Sequence, residues 1–277
     1  MKNETFLGFP NSEFEKASLV VLPVAFDSTS TWKKGSSKGP EAIIESSREI
    51  ELYDLDLNYN PVEKMNIFTL PILKPKNIEE MQKKVKEGAK KVIDGEKFLI
   101  MIGGEHSITL PAVEIFAEKY SDLTVLQLDA HADLYDEFEN QKYGHMNVMK
   151  RIKEKNINVV QAGIRCISQD EIDDVKKNNY KNIFYKKLDK KAIKLCKKNV
   201  YLSIDLDILD PSIMPSVGTP EPDGILWKEL MQFLTRLFKE KNVIGVDVVE
   251  LCPIKDLHHA DFTAAKLIYK IIGMKFK

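Results

Sequence analysis

The chain alternates short, continuously apolar runs with longer segments in which apolar residues recur every three or four positions. Runs of this length are typical of strands, and because most are apolar on both faces they indicate a parallel sheet covered on both sides. Eight strands are predicted: Leu19–Val24, Asn66–Leu70, Lys97–Ile102, Leu123–Leu128, Asn158–Gly163, Asn182–Tyr185, Val200–Ile204 and Val243–Val249.

Helical periodicity is clearest in Ile78–Ile93, where Lys and Glu separate the apolar positions, and it recurs in Leu226–Phe238 and Ala260–Ile272. Strands and helices in alternation predict an α/β fold with a doubly wound parallel sheet of about eight strands and right-handed crossovers. No linker rich in Pro, Gly or Ser divides the chain, so we expect residues 1–277 to form one domain.

Composition narrows the classes of function. Of the 277 residues, 43% are apolar and 30% are charged, and the net charge is −1. A charge this close to zero gives no field that would recruit nucleic acid or an acidic membrane. No run approaches the roughly 18 apolar residues of a membrane span. The three cysteines are dispersed and form no C-x-x-C pair, so we expect no disulfide framework and a cytoplasmic location.

Acidic and imidazole side chains stand at the ends of three predicted strands. Gly-Gly-Glu-His (103–106) follows one strand, Asp-Ala-His-Ala-Asp (129–133) follows another, and Ser-Ile-Asp-Leu-Asp (203–207) closes a third. Sites in such sheets form outside the carboxyl ends of the strands, so we expect these side chains to converge in one crevice. Alternate residues of an extended segment face the same way, which would aim both D-x-H-x-D and D-x-D at it. The candidate metal ligands are His106, Asp129, His131, Asp133, Asp205 and Asp207.

Six ligands exceed the needs of one tetrahedral zinc ion, and four of them are carboxylates, which suit hard divalent cations. Four carboxylate charges balance two divalent cations, which indicates a binuclear site. Manganese is preferred because imidazoles accompany the carboxylates. A single Asp after a strand is more often a cap or turn residue, but capping does not explain both motifs together. Two long irregular segments, Leu134–Tyr143 and Asp210–Gly224, follow these ligands, and a third spans Phe26–Gly39.

Other catalytic signatures are missing from the sequence, which has no dinucleotide fingerprint, no P-loop and no G-x-S-x-G elbow. The motifs present resemble those of the ureohydrolases, the family of arginases and agmatinases, and are most similar to bacterial agmatinases. The matching segments are Gly-Gly-Glu-His-Ser-Ile-Thr (103–109), Asp-Ala-His-Ala-Asp-Leu (129–134), Ser-Ile-Asp-Leu-Asp-Ile-Leu-Asp-Pro (203–211), Gly-Thr-Pro-Glu-Pro (218–222) and Val-Asp-Val-Val-Glu (246–250).

The resemblance implies a three-layer α/β/α fold of the arginase type and two Mn²⁺ per subunit, held by the six candidate ligands. It implies hydrolysis of a small cationic guanidino compound to urea and an amine, and assembly into homo-oligomers, either trimers or hexamers. A hydroxide that bridges the two metals is the expected nucleophile, because the cations lower the pKa of bound water. Asp133 is expected to orient it.

Three further residues take roles from the resemblance. His145, in Tyr-Gly-His-Met (143–146), matches a family histidine assigned to proton transfer and substrate contact. Glu250 matches the acid that pairs with the guanidinium, although an ion pair with a surface lysine is its structural alternative. Thr219 lies in the loop that lines the pocket in the family.

Agmatine, hydrolysed to putrescine and urea, is the substrate that the sequence favours. The stretch from Leu134 to Gly144 has no Ser or Thr that could bind an α-carboxylate. Its acids Asp136, Glu137 and Glu139 would attract a second positive charge, although a solvated acidic loop is an equally simple account of them. Guanidinobutyrate, aminopropylagmatine and arginine stay open as substrates, and Gly-His-Met-Asn (144–147) departs from the variants common in agmatinases.

Two other classes of function stay open from the sequence. A deacetylase-like amidohydrolase shares the broad fold, but it would use one zinc ion and fewer ligands. A non-catalytic metal-binding or regulatory protein is the third reading, and the sequence offers no sign of a lost ligand that would favour it.

Overall fold

The computed structural model describes residues 5–277 of the chain. Its centre is one sheet in which eight strands run parallel, in the spatial order β2-β1-β3-β8-β7-β4-β5-β6. In chain order the strands are β1 (Leu19–Val24), β2 (Ile67–Thr69), β3 (Phe98–Gly103), β4 (Leu123–Leu128), β5 (Asn158–Ile164), β6 (Ile183–Tyr185), β7 (Asn199–Asp205) and β8 (Asn242–Val249).

Helices cover both faces of this sheet. Within the described range they are α1 (Gly39–Ser47), α2 (Ile78–Asp94), α3 (Thr109–Lys119), α4 (Val148–Glu154), α5 (Gln169–Asn178), α6 (Lys190–Leu195), α7 (Trp227–Glu240) and α8 (His259–Phe276). Helices α1, α6, α7 and α8 pack on one face, and α2, α3, α4 and α5 pack on the other. The predicted three-layer α/β/α fold with a doubly wound parallel sheet is confirmed.

Burial on both faces explains why the strands are apolar throughout. In β1, Leu19 and Val21 pack into one core while Val20 and Leu22 pack into the other, and all four side chains are buried. The strand predictions match the observed bounds to within about one residue, because continuous apolar runs locate doubly covered strands well. Three helices were predicted and five were not, namely α1, α3, α4, α5 and α6. Most of these five are short, and α3 is buried over so much of its surface that no polar stripe marks its period.

The order of the strands decides where the functional loops lie. In the sheet, β4 lies three positions from β3, β5 and β6 follow beyond β4, and β7 and β8 occupy the two positions between β3 and β4. The carboxyl ends of β3, β8, β7 and β4 are therefore neighbours. Within residues 5–277, no helix is both long and apolar enough to cross a membrane.

Candidate metal centre

The structure brings the six candidate ligands together at this edge of the sheet. His106 begins a short 3-10 turn that joins β3 to α3, and Asp205 is the last residue of β7. The other four follow the ends of β4 and β7. His131 is partly exposed. The other five residues are buried: His106, Asp129, Asp133, Asp205 and Asp207.

The backbone that achieves this convergence is not the extended one that was predicted. Asp133 has a φ of +54°, so its backbone is left-handed rather than extended. Asp207 lies in the 3-10 turn Leu206–Ile208, and its N–H donates to Asp205 Oδ1 over 2.9 Å. Turns therefore aim these carboxylates, and a left-handed residue other than glycine costs of order 1–3 kcal/mol, which is common at functional sites.

His106 is the most informative member of the cluster. Its Nδ1 lies 3.1 Å from Asp129 Oδ2, 3.0 Å from Asp133 Oδ2 and 3.5 Å from an oxygen of Asp205. Despite these short distances, Nδ1 is buried and makes no hydrogen bond with any described residue. A nitrogen that faces three carboxylates without bonding to them is the environment expected of a metal ligand.

The opposite nitrogen of the same ring shows which tautomer this environment selects. Ser203 Oγ donates to Asp247 Oδ1 over 2.6 Å, so its lone pairs are free to accept from His106 Nε2 at 2.8 Å. The proton of neutral His106 is therefore held on Nε2, and Nδ1 keeps its lone pair for a cation. Supporting bonds of this kind fix the orientation and tautomer of metal-binding histidines.

His131 occupies the other side of the cluster. Its Nδ1 lies 2.7 Å from Asp207 Oδ2, and its backbone N–H donates to Asp129 Oδ1 over 2.6 Å. Besides His131–Cys166–Glu221, two groups of described side chains have the spacing of a metal site, His106–Asp129–Asp205 and Asp129–His131–Asp207. Because Asp129 belongs to both groups, the arrangement fits two adjacent cations that share one carboxylate.

The electrostatics of the cluster favour added positive charge. Burial and, to a smaller extent, the neighbouring carboxylates of Asp207 and Asp133 together raise the pKa of Asp129 to about 8. Burial and the charge of Asp207 also raise the pKa of Asp205 well above its usual range. Burial alone would lower the pKa of His106, but the carboxylates of Asp129 and Asp133 raise it instead. Two divalent cations would supply the compensating charge that these carboxylates require.

Two buried glutamines hold the aspartates in place. Gln127, next to the carboxyl end of β4, donates from Nε2 to Asp129 Oδ2 over 2.7 Å and lies 3.3 Å from Asp133 Oδ2. Gln161, on β5, donates to Gln127 Oε1 over 2.6 Å and to the carbonyl of Ala132 over 2.7 Å. Neither glutamine was predicted as a site residue. An amide side chain in a mainly apolar strand needs hydrogen-bond partners, and this was the feature of the sequence that could have indicated both.

A cavity of about 340 Å³ opens above the cluster and contains the other predicted site residues. His145, Glu250 and Thr219 all line it, together with the exposed side chain of Trp32. Glu250 follows β8 with a φ of +67°, and its Oε1 accepts the backbone N–H of His106 over 2.8 Å. Its position in the cavity argues against the alternative of an ion pair with a surface lysine.

His145 contacts a loop that carried no prediction of function. Its backbone N–H donates to Thr29 Oγ1 over 3.1 Å, and its Nδ1 lies 3.3 Å from the same oxygen. Thr29 in turn donates to Glu105, whose carboxylate is fully buried. Burial lowers the pKa of His145.

The loop after Leu134 reaches the cavity through Tyr135, but its three acids do not line it. Asp136 forms an ion pair with Arg151, Glu137 lies near Lys142, and neither they nor Glu139 line the pocket. Direct contact between these three acids and a substrate in the cavity is therefore not supported, and their ion pairs favour the account of a solvated acidic loop. Two acids that were not predicted as site residues, Glu171 and Glu221, do line the cavity. Nothing in their spacing along the sequence indicates that they lie on the same cavity wall.

Arg165 fixes the segment that contains Thr219 and Glu221. Its guanidinium donates to the carbonyls of Glu221 and Pro222 over 2.9 and 3.0 Å, and to the carbonyl of Asp207 over 2.6 Å. One side chain thus ties the pocket loop to the turn that carries a candidate ligand.

Comparison with known proteins agrees with this architecture. A model of the arginase family matches residues 17–273. The chain is 36% identical over 275 residues to the N(1)-aminopropylagmatine ureohydrolase of Thermus thermophilus, and the match covers 97% of this chain and 94% of that protein. It is 30% identical over 271 residues to the agmatinase of Pyrococcus horikoshii, with 96% and 94% covered.

Among solved structures, the agmatine ureohydrolase of Thermoplasma volcanium has a TM-score of 0.85 at 27% identity, and the match covers 95% of this chain and 92% of that one. Coverage near completeness on both sides means that the similarity extends over the whole fold rather than over isolated motifs. The deacetylase-like alternative is therefore set aside. The chain belongs to the arginase family, whose members depend on two metal ions and hydrolyse carbon–nitrogen bonds of amidino groups.

Proposed function

We propose that this chain is a manganese-dependent ureohydrolase of an aminoalkylguanidine, which it cleaves to urea and an amine. Two substrates are supported. The sequence favours agmatine, which would give putrescine, and the name of the Thermus thermophilus relative favours N(1)-aminopropylagmatine. The observation that carries the proposal is the pair of ligand groups that share Asp129 next to a cavity lined by Glu250.

The residues that would hold the metals are the two groups that share Asp129, namely His106–Asp129–Asp205 and Asp129–His131–Asp207. Asp133 lies beside His106 and would join them. Four carboxylates and two imidazoles form a hard, mixed oxygen and nitrogen set, for which manganese is the best match. When bound, two such cations lower the pKa of water enough to supply a nucleophile at neutral pH.

Glu250 would bind and orient the guanidinium. A planar guanidinium pairs with a carboxylate through two parallel charge-assisted hydrogen bonds, which fix its plane as well as its position. Glu250 Oε1 already accepts one backbone N–H, so the side chain is held before substrate arrives. An acid that is fixed in advance loses little conformational entropy when it binds, and it would place the guanidinium carbon beside the candidate metal ligands.

His145 would transfer the proton that the leaving amine needs. Cleavage of the carbon–nitrogen bond leaves the electron pair on the amine nitrogen, and an unprotonated amide ion is a very poor leaving group. A histidine at the cavity wall whose pKa is lowered by burial is a stronger acid than an exposed histidine once it is protonated.

The cavity wall is better matched to a second ammonium group than to a carboxylate. Glu171 and Glu221 line it, and Lys33 is the one lysine or arginine among the described lining residues. Arginine and guanidinobutyrate each carry a carboxylate, which these acids would repel. Agmatine and its aminopropyl derivative carry one and two additional amino groups, respectively, and no carboxylate.

A substrate panel tests the proposal. Protein reconstituted with Mn²⁺ would be given agmatine, N(1)-aminopropylagmatine, guanidinobutyrate and arginine, and urea would be measured for each. We expect kcat/KM for one of the first two to exceed that for arginine by roughly 100-fold or more, since a repelled, desolvated carboxylate costs several kcal/mol. Equal or better turnover of arginine would overturn the substrate assignment, and full activity with Zn²⁺ alone would overturn the metal assignment.

A further inference from the structure

Glu105 is a fully buried carboxylate that the proposed reaction does not use. It directly precedes the candidate ligand His106 in the chain, yet its side chain contacts the loop after β1 rather than the other candidate ligands. Thr29 N–H donates to its Oε2 over 2.8 Å, and the hydroxyls of Thr29 and Ser107 donate to its Oε1 over 2.5 and 2.7 Å. Towards Thr29, Glu105 therefore acts only as an acceptor.

Thr29 Oγ1 has one proton and two lone pairs, and all three have assigned partners. The proton is donated to Glu105. One lone pair accepts the backbone N–H of His145 at 3.1 Å. Within residues 5–277, the one contact left is His145 Nδ1 at 3.3 Å, and because the hydroxyl proton is already used, the remaining lone pair can only accept from an N–H at that position.

We propose that Glu105 and Thr29 are positioning residues which hold neutral His145 with its proton on Nδ1, and so leave Nε2 as the nitrogen that exchanges a proton with the substrate. This inference rests on the proposed role of His145. Nothing in the sequence motifs assigns a role to Thr29, and Glu105 enters only as a letter of Gly-Gly-Glu-His.

The proton balance of the reaction shows why this tautomer is needed. Protonated His145 carries a proton on each nitrogen, and the proton on Nε2 passes to the amine nitrogen as the carbon–nitrogen bond breaks. The ring that remains is the neutral Nδ1–H tautomer, which Thr29 accepts from directly. The product state of the histidine is thus stabilised, and no ring rotation is needed before Nε2 is protonated again.

A purely structural role would be to attach the loop that contains Thr29 to β3. The tautomer of His145 distinguishes this role from the proposed one, because attaching the loop to β3 does not require a particular tautomer. The chain has only five histidines, so ¹H–¹⁵N spectra of histidine-labelled protein are simple, and a His145→Asn variant identifies the signals of His145. The metal-free protein would be observed at a pH of about 8.5, where His145 is neutral.

Two substitutions give different expectations for the spectrum. In Glu105→Gln, the amide oxygen accepts Thr29 N–H and the amide NH₂ donates to Thr29 Oγ1, which frees the Thr29 hydroxyl to donate to His145 Nδ1. We therefore expect the protein with Glu105 to show the Nδ1–H tautomer and the Gln variant to show the Nε2–H tautomer. In Thr29→Val, which keeps the shape and loses the hydroxyl, we expect a mixture of both.

Kinetics on the Mn²⁺-loaded enzyme provide the second measurement. Thr29→Val should lower kcat by roughly 10-fold to 100-fold, a part of the roughly 10²–10⁴ that a positioned general acid contributes, with little change in KM. Thr29→Ser restores the hydroxyl and should restore kcat. Ser37→Ala is the matched control, because Ser37 donates to Asp27 within the same loop and does not contact Glu105; it should leave kcat unchanged.

The outcomes separate this inference from the proposed function. An Nε2–H tautomer in the unaltered protein, or a spectrum that Glu105→Gln and Thr29→Val leave unchanged, would overturn the role of Glu105 and Thr29 whatever the activity. If the Gln variant does not fold, the Val and Ser variants decide alone. Full activity of His145→Asn would instead remove His145 from the reaction, and with it the reason for this inference.

Discussion

Removing the hydroxyl of Ser203 should weaken metal binding by an amount that the structure allows us to work out. In Ser203→Ala, the Nε2–H of His106 loses its acceptor at 2.8 Å while the ring stays buried. The ring then favours a proton on Nδ1, where the carboxylates of Asp129 and Asp133 lie at 3.1 and 3.0 Å. A metal must displace that proton and force an unpaired N–H onto Nε2.

An unpaired, buried donor costs about 1–3 kcal/mol, which corresponds to a rise of about 5- to 150-fold in the Kd of the metal beside His106. The free Mn²⁺ signal in electron paramagnetic resonance, recorded during titration of the metal-free protein, measures this Kd. Urea production should recover when the Mn²⁺ concentration is raised, since the substitution leaves Asp129 and His131 in place.

Ser216→Ala is the matched control for this prediction. Ser216 is as fully buried as Ser203, and its Oγ has no hydrogen-bond partner within residues 5–277. We expect its Kd for Mn²⁺ to stay within about 2-fold of the unaltered protein, since no ligand depends on it. Unchanged affinity in Ser203→Ala, or an equal loss in Ser216→Ala, would refute the argument that the Nε2 hydrogen bond prepares His106 for a metal.

Three further predictions concern other parts of the molecule. Asp129→Asn should reduce bound manganese below one ion per chain in elemental analysis and abolish urea release, because both ligand groups use Asp129, whereas the exposed Asp136→Asn should change neither. Glu250→Gln should lower kcat/KM for agmatine by roughly 100-fold and weaken inhibition by guanidinium ion, since two charge-assisted hydrogen bonds become neutral; unchanged inhibition would contradict this. Lys270→Met should cost about 3–5 kcal/mol of unfolding free energy at neutral pH, because it leaves the buried Asp54 carboxylate without its partner at 2.8 Å. Burial would raise the pKa of Asp54, but Lys270 lowers it overall, so this contribution is present above a pH of about 3.9 and is lost below it. The destabilisation in urea unfolding should therefore persist down to a pH of about 4 and shrink only below that value, and an equal loss at neutral pH and at a pH well below about 3.9 would exclude the ion pair as its cause.

The predicted features that the structure matches best depend on local patterns. The apolar runs located the eight strands because strands covered on both faces need apolar residues at every position. The motifs also named the six candidate ligands, since polar residues directly after a strand are conspicuous. Helices such as α3 escaped prediction because burial on most sides removes the polar stripe from which periodicity is recognised.

Expectations about orientation were less successful, and for one reason. Strand alternation was expected to aim Asp133 and Asp207, but a left-handed residue and a 3-10 turn aim them instead. The acids of the loop from Leu134 to Gly144 were expected to face the substrate, but Arg151 holds Asp136 away from the cavity. Backbone turns and ion pairs between distant residues leave no periodic signal in a sequence.

The sequence by itself determined the class of fold, the chemical character of the ligand set and the family, because each depends on which residues stand next to one another in the chain. Only the tertiary structure decided that β7 and β8 insert between β3 and β4, that Asp129 is shared by two ligand groups, and that Thr29 contacts both Glu105 and His145. The physical reason is that these contacts join residues far apart in the chain, 116 positions for Thr29 and His145, whose proximity depends on how the whole sheet is ordered rather than on any local preference.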